Sequence, residues 1–188
     1  MEITTERLML RKFLPDDWPA VLAYQQDARY SEYYPWSART ESDAKEFVQW
    51  FLDKQAESPR RRIQLTVILR ETGLLIGNCG IRRKPDSDWE ADIGYEIAPD
   101  YWRRGYATEA AASLVEHGLT SMGLHRISSW CIAENGASVS VLRKLGMREE
   151  GRLRENEFFK GRWWDTLVFG LLMEEGVGST RRQNLGWR

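Results

Sequence analysis

Residues 93–110 read IGYEIAPDYWRRGYATEA. Upstream of and into this stretch, Trp89, Ala91, Ile93, Tyr95 and Ile97 recur at every second position, the alternation of a strand with one face on a core. Pro99 ends that strand. Downstream, Ala107, Ala110, Ala111, Leu114, Val115, Gly118, Leu119 and Met122 keep one apolar face of a helix without a break. A helix start exposes unpaired N–H groups and the positive end of the helix dipole. Arg103, Arg104 and the permissive Gly105 sit at that junction, so it suits an anion, although solvated surface charge would read the same way. No P-loop string Gly-x-x-x-x-Gly-Lys-Ser/Thr occurs, and no Gly-x-Gly-x-x-Gly follows a predicted strand. Strand, proline turn and helix would instead aim several backbone N–H groups at a diphosphate, leaving the strand edge open beside it.

Outward from this junction the chain mixes strands and helices. Arg7–Phe13 alternates like a strand, and Pro15–Gln26 reads as a short helix with proline early, where a missing N–H costs little. Thr40 and Asp43 form a capping-box variant before a helix whose face is Ala44, Phe47, Val48, Phe51 and Leu52. Ile63–Arg70 and Leu74–Arg83 form a hairpin around ETG. Arg126–Ile132 is a strand, Ala137–Leu145 a helix stopped by Gly146, and two long strands flank KGR. The order implies an α/β (α+β) sheet with helices packed on it, in one domain over residues 1–175. The polar, Gly-rich segment 176–188 reads as a frayed tail.

Composition narrows the function classes. With 188 residues, 42% apolar and 29% charged, the chain can bury a sizeable core as a soluble globular protein. Lys+Arg at 27 against Asp+Glu at 28 gives no basic excess, which argues against direct nucleic-acid binding. No apolar run approaches the roughly 20 residues that span a bilayer, and the charged, strand-like Met1–Leu10 is no secretory leader. Cys79 and Cys131 lie in apolar surroundings without metal-ligand spacing, as reduced buried thiols of a cytoplasmic protein do. No metal site is expected: neither His117 nor His125 belongs to a cluster with ligand spacing.

The pair IGYEIAPDYWRRGYATEA and NGASVSVLRKLGM, with Asn135 about thirty residues beyond Gly105, resembles the GNAT superfamily of acetyl-CoA-dependent N-acetyltransferases. Within it the chain is most similar to the branch of the ribosomal-protein N-terminal acetyltransferases RimJ and RimL, from about Thr5 to Met173. The resemblance implies a mostly antiparallel seven-stranded sheet with about four helices, splayed between the fourth and fifth strands. Acetyl-CoA would enter that gap as cosubstrate. The backbone of Ile97 and Pro99 would pair with the pantetheine amides like an added strand. The N–H groups of Arg103, Arg104, Gly105, Tyr106, Ala107 and Thr108 would take the pyrophosphate, and Asn135 and Ser138 would hold the pantetheine arm. Trp102 stands where the superfamily pattern has Gln or Arg, which removes one side-chain contact.

Such a donor implies direct attack by a free amine. Candidate bases are Glu96, Asp92 and Glu157; the last sits where the RimL-like branch has a base candidate. Many superfamily members place a tyrosine acid shortly after the asparagine motif, but here that position is Leu142. Ser138 is the substitute, although it is also an ordinary helix-start residue. Tyr30, Tyr33, Tyr34 and Trp36 pack into one loop, in the region where relatives wall the acceptor site, and suit either a pocket or the cover of a core edge. A protein or peptide N-terminus is the favoured acceptor. Asp86, Asp88, Glu90 and Asp92 keep an aminoglycoside or polyamine open, Asp92 being the residue that would touch it. A non-catalytic acyl-CoA-binding module is the third reading. No membrane partner is expected, and the protein would be a monomer or homodimer.

Overall fold

The structure, a computed structural model, describes residues 1–176. In chain order the elements are β1 (Glu2–Thr4), β2 (Leu8–Lys12), a 3-10 turn (Pro15–Asp17) running into α1 (Trp18–Gln25), α2 (Ala28–Ser31) and α3 (Glu41–Ala56). Then come β3 (Arg62–Leu69), β4 (Leu75–Arg83), β5 (Glu90–Ile97), a 3-10 turn (Pro99–Tyr101) and α4 (Tyr106–Thr120). The chain continues as β6 (Arg126–Ile132), α5 (Gly136–Lys144), β7 (Arg148–Phe159) and β8 (Arg162–Leu172). One sheet runs β1-β2-β3-β4-β5-β6-β8-β7, antiparallel everywhere except between β5 and β6.

Eight strands replace the expected seven. The addition is β1, whose Glu2–Thr4 pair with Met9–Arg11 at the sheet edge; three residues are too few for alternation to announce. The splay therefore falls between the fifth and sixth strands. Among the described residues two short helical stretches add to the expected four helices: α2, a single turn that Asp27 caps inside the aromatic loop, and residues 173–176. Trp89, expected on the apolar face, precedes β5 and is exposed. Its carbonyl accepts the N–H groups of His125 (2.9 Å) and Arg126 (3.2 Å), which pins the start of β6 beside β5. Of the expected tail, all but Gly176 lies outside the described residues.

Two apolar layers cover opposite faces of the sheet. On one, α4 and α5 pack Ala110, Leu114, Gly118, Leu119 and Leu142 onto Ile81, Ile93, Ile127 and Phe169. Gly118 lets α4 come close: a Cβ there would lie 2.6 Å from Ile81 Cδ1. On the other, α1 and α3 bury Val21, Tyr24, Ala44, Val48 and Phe51 with Phe13. The capping box forms as the sequence indicates. Thr40 Oγ1 accepts the Asp43 N–H at 3.2 Å and Asp43 Oδ2 accepts the Thr40 N–H at 2.7 Å.

Candidate active site

Strands β5 and β6 pair only over Glu90–Asp92 and Arg126–Ser128, then part. At the fork a side chain replaces the ladder: Ser129 Oγ donates to Ile93 O at 2.9 Å. Even-numbered residues of β5 exchange main-chain bonds with β4, as Lys84 N–H to Glu90 O (2.9 Å) and Ala98 N–H to Ile76 O (2.7 Å) show. By the alternation of an antiparallel ladder, the odd-numbered Tyr95 and Ile97 turn their N–H and C=O groups into the opening. Trp102 already uses two carbonyls here. Its indole N–H donates to Ile97 O at 2.5 Å and its backbone N–H to Pro99 O at 3.1 Å. The residue that departs from the superfamily pattern thus binds the strand end itself.

Beside the opening, α4 begins without a cap. Helices α3 and α5 have side-chain caps from Thr40 and Asn135, whereas Gly105, at φ +83°, offers α4 none. Arg103, at φ +60°, and Gly105 are both left-handed, so the loop curls its N–H groups inward, the geometry of an anion nest. Among the described residues none of the N–H groups from Arg103 to Thr108 has a hydrogen-bond partner. Arg7 braces the curl. Its Nη1 donates to Arg104 O at 2.9 Å, and its guanidinium lies 4.6 Å from the Tyr106 ring centre. Glu109 anchors Arg7, accepting its N–H at 2.8 Å and Nε at 2.7 Å, with Thr5 Oγ1 at 2.6 Å. Partial burial pushes the Glu109 carboxyl up, but the bonds from Thr5 and Arg7 outweigh it and hold the group below the ordinary range.

Across the opening, Asn135 Oδ1 accepts the Ser138 N–H at 3.0 Å and so starts α5. Ser138 Oγ lies 3.0 Å from Tyr95 Oη, and Ser138 O, a second acceptor for the same phenol proton, lies 3.2 Å from it. Burial pushes the Tyr95 phenol up, with the Ser138 bond opposing. Leu142 is fully buried in the α4–α5 layer.

Glu96 points to the other face of the sheet from Tyr95. Its Oε2 accepts Asn78 Nδ2 at 2.9 Å and the Tyr24 hydroxyl at 3.3 Å, and Gln64 Nε2 donates to Asn78 Oδ1 at 2.6 Å. Desolvation raises the Glu96 carboxyl above its ordinary value, the Asn78 and Tyr24 bonds opposing. The Tyr30 hydroxyl is buried close by and makes no hydrogen bond of good geometry. From Tyr24 a run of rings leads outward: Tyr30 (5.3 Å, edge-on), Tyr34 (5.0 Å, stacked), Trp36 (4.5 Å, stacked), with the Arg39 guanidinium 4.2 Å from the Trp36 ring.

Residues 7–148 match the family model of the acetyltransferase (GNAT) domain. The chain belongs to the GNAT acetyltransferase family. It is 38% identical over 175 residues to the uncharacterized N-acetyltransferase YnaD of Bacillus subtilis, a match covering 93% of this chain and 99% of that protein. The crystal structure of a GNAT-family acetyltransferase from Bacillus anthracis superposes with a TM-score of 0.81 at 34% identity, over 93% of this chain and 100% of that one. The ribosomal-protein-S5-alanine acetyltransferase of Vibrio fischeri shares the fold, with a TM-score of 0.80 at 17% identity over 93% and 98% of the two chains.

In this acetyltransferase the expected cradle residues 103–108, Ile97, Pro99, Asn135 and Ser138 all border one opening. On the other face Tyr34 lies near Glu96 and stacks on Trp36, but three expectations do not come together there. Tyr33, one residue before Tyr34, turns away from the Tyr30–Tyr34 stack, packs edge-on against Trp164 at 5.8 Å and donates to Glu134 O at 3.2 Å. Asp92 is held by Arg82, whose Nε donates to Oδ1 at 2.5 Å. Glu157 is exposed on β7 and accepts the Asn156 amide at 3.3 Å; among the described residues no hydrogen bond joins it to Ser138 or Glu96. Reading the sequence missed Arg7, Tyr24, Asn78 and Tyr95. In the sequence Arg7 reads only as part of a strand and Tyr95 only as part of a core face; nothing in their spacing announces a polar partner. Among the described residues no three His, Cys, Asp or Glu side chains are grouped to hold a metal ion, and no helix is long and apolar enough to cross a membrane.

Proposed function

We propose that this acetyltransferase transfers the acetyl group of acetyl-CoA to a primary amine by direct attack, with a protein or peptide α-amine as the favoured acceptor. The observation that carries the reading is the uncapped start of α4 beside the opening between β5 and β6. Six unpartnered N–H groups, with Arg103 and Arg104, suit a pyrophosphate. The Ile97 N–H and the Asn135 amide nitrogen are donors for a pantetheine arm. The Ile97 and Pro99 carbonyls would have to share a second lone pair with it, since Trp102 uses one on each.

The chemistry needs a neutral amine, a polarised carbonyl and a proton for the departing thiolate. Freeing an α-amine of its proton at pH 7 costs about 1.4 kcal/mol, and a lysine amine about 4.6 kcal/mol. Glu96, a raised carboxylate fenced by Tyr24 and Asn78, is a base suited to the easier task. It is preferred to Glu157, whose carboxylate is exposed. Ser138 lies on the opposite face of the fork, where it can hydrogen-bond the sulfur while the amine comes from the Glu96 side. The aromatic run ending at Trp36 and Arg39 would wall the acceptor.

A polyamine acceptor finds less support. Of the acidic group that kept it open, Asp88 pairs with Arg61 (2.8 Å), Glu90 with Lys84 (3.0 Å) and Asp92 with Arg82. Release of free coenzyme A over a panel of amines tests the choice. Ribosomal N-terminal peptides are expected to exceed lysine, spermidine and aminoglycosides at least tenfold in kcat/KM. Spermidine as the best acceptor would reverse the assignment, and silence with every amine would leave an acyl-CoA-binding module.

A further inference from the structure

The Tyr95–Ser138 contact bridges the fork: Tyr95 stands on β5, Ser138 on the helix that follows β6. Among the described residues it is a side-chain hydrogen bond that joins the two sides of the opening past Ser129. The Tyr95 ring packs against the α4–α5 core, so its hydroxyl is delivered to Ser138 from a fixed base. The titratable groups around it are Cys131 and Cys79, both buried thiols that burial pushes up, Cys79 to about 12. Neither competes for its proton at neutral pH. The phenol has a single proton, which can go to Ser138 Oγ at 3.0 Å or to Ser138 O at 3.2 Å; in the second case the serine hydroxyl donates to Tyr95 Oη. When Tyr95 donates to Ser138 Oγ, the serine proton must turn to a third acceptor, either the neighbouring Cys131 sulfur or a sulfur seated in the opening.

We propose that Tyr95 is a positioning residue for acetyl transfer, acting through Ser138: its hydroxyl donates to Ser138 Oγ, aims the serine proton at the departing sulfur, and replaces that proton as it leaves. The inference rests on the acetyl-transfer reading above and supplies the acidity that Leu142, in place of a tyrosine, removes. A serine hydroxyl alone is a poor acid for a thiolate, because it would be left as an alkoxide. A phenol ordinarily has a pKa near 10 against about 8.5 for a thiol; burial pushes that of Tyr95 up, but it still carries the deficit better than a serine hydroxyl. In the step the N–C bond forms and the C–S bond breaks. Sulfur takes the Ser138 proton, Ser138 Oγ takes the Tyr95 proton, and the phenolate recovers the proton that the attacking amine gives up, through solvent. Amine and thioester become amide and thiol, with no net proton gained or lost.

Tyr95→Phe keeps the ring and removes the hydroxyl. With the best acceptor of the amine panel, its kcat is expected to fall about 100-fold, with the KM for acetyl-CoA and the Tm close to those of the unmodified protein. The double variant Tyr95→Phe/Ser138→Ala is expected to be no slower than Ser138→Ala alone. A kcat unchanged in Tyr95→Phe, or losses that multiply in the double variant, would overturn the relay while leaving acetyl transfer intact. The unmodified enzyme supplies a readout independent of folding. In mixtures of H2O and D2O its kcat is expected to follow a two-proton curve, and a one-proton straight line would contradict the relay. If the unmodified protein releases no coenzyme A with any amine, acetyl transfer itself falls and the relay with it.

Discussion

As the proposed base, Glu96 carries opposite consequences for stability and for catalysis. Burial raises its carboxyl in the folded state, so folding is favoured by its protonated form below the ordinary carboxylate pKa, and that advantage is lost as pH rises through the raised value. At neutral pH the ionised group is a cost that a base requires. Glu96→Gln keeps the Asn78 and Tyr24 contacts without the charge. It is expected to raise the Tm at pH 7 by a few degrees while lowering kcat/KM by about 100-fold and abolishing the acidic limb of its pH profile. A limb that persists in the variant would move the base elsewhere. At this scale about half of the site was legible. Asn135 and the 103–108 loop are fixed by local chain geometry, which spacing reports. Asn78, Tyr24 and Arg7 reach the site from other elements, across 18, 72 and 97 residues of chain, and no local pattern encodes a partner so distant. Asp92 illustrates the converse error: its strand face is right, but Arg82, its cross-strand neighbour on β4, claims it.

Among the elements, α4 joins the core to the cradle. Its first turn presents the unpartnered N–H groups, and its apolar face sets where they point. Gly118 determines how near the helix lies to the sheet, because a side chain there would strike Ile81, Ile127 and Leu124. Gly118→Leu is expected to cost about 2–3 kcal/mol in denaturant unfolding and to weaken acetyl-CoA binding by displacing the cradle. A loss of stability with unchanged binding would separate cradle from core. The unbroken spacing from Ala107 to Met122 made α4 readable, as the capping box did α3. Short elements escaped: β1 and α2, three and four residues long, are set by edge pairing and one Asp27 cap. The fork itself left no local signal, since it consists of ladder bonds that stop after Asp92.

Over the whole molecule the fork divides the labour between two faces. The α4–α5 face holds the cradle, Ser138 and Tyr95; the α1–α3 face holds Glu96 and the aromatic run from Tyr24 to Trp36. Donor and acceptor would thus meet in the plane of the sheet from opposite sides, with the acid and the base kept apart by the strand that carries Tyr95 and Glu96 as neighbours. A balanced net charge of −1 gives no general field to draw in a polyanionic donor, so binding must come from the local cradle. Calorimetric titration with acetyl-CoA, on the unmodified protein and on Gly105→Val, tests this most directly. The account predicts one site per chain, with affinity at least tenfold weaker in the variant, where a β-branched residue must adopt φ +83° beside Arg7. No heat of binding to the folded, unmodified protein at millimolar acetyl-CoA, or equal affinity in the two, would contradict it.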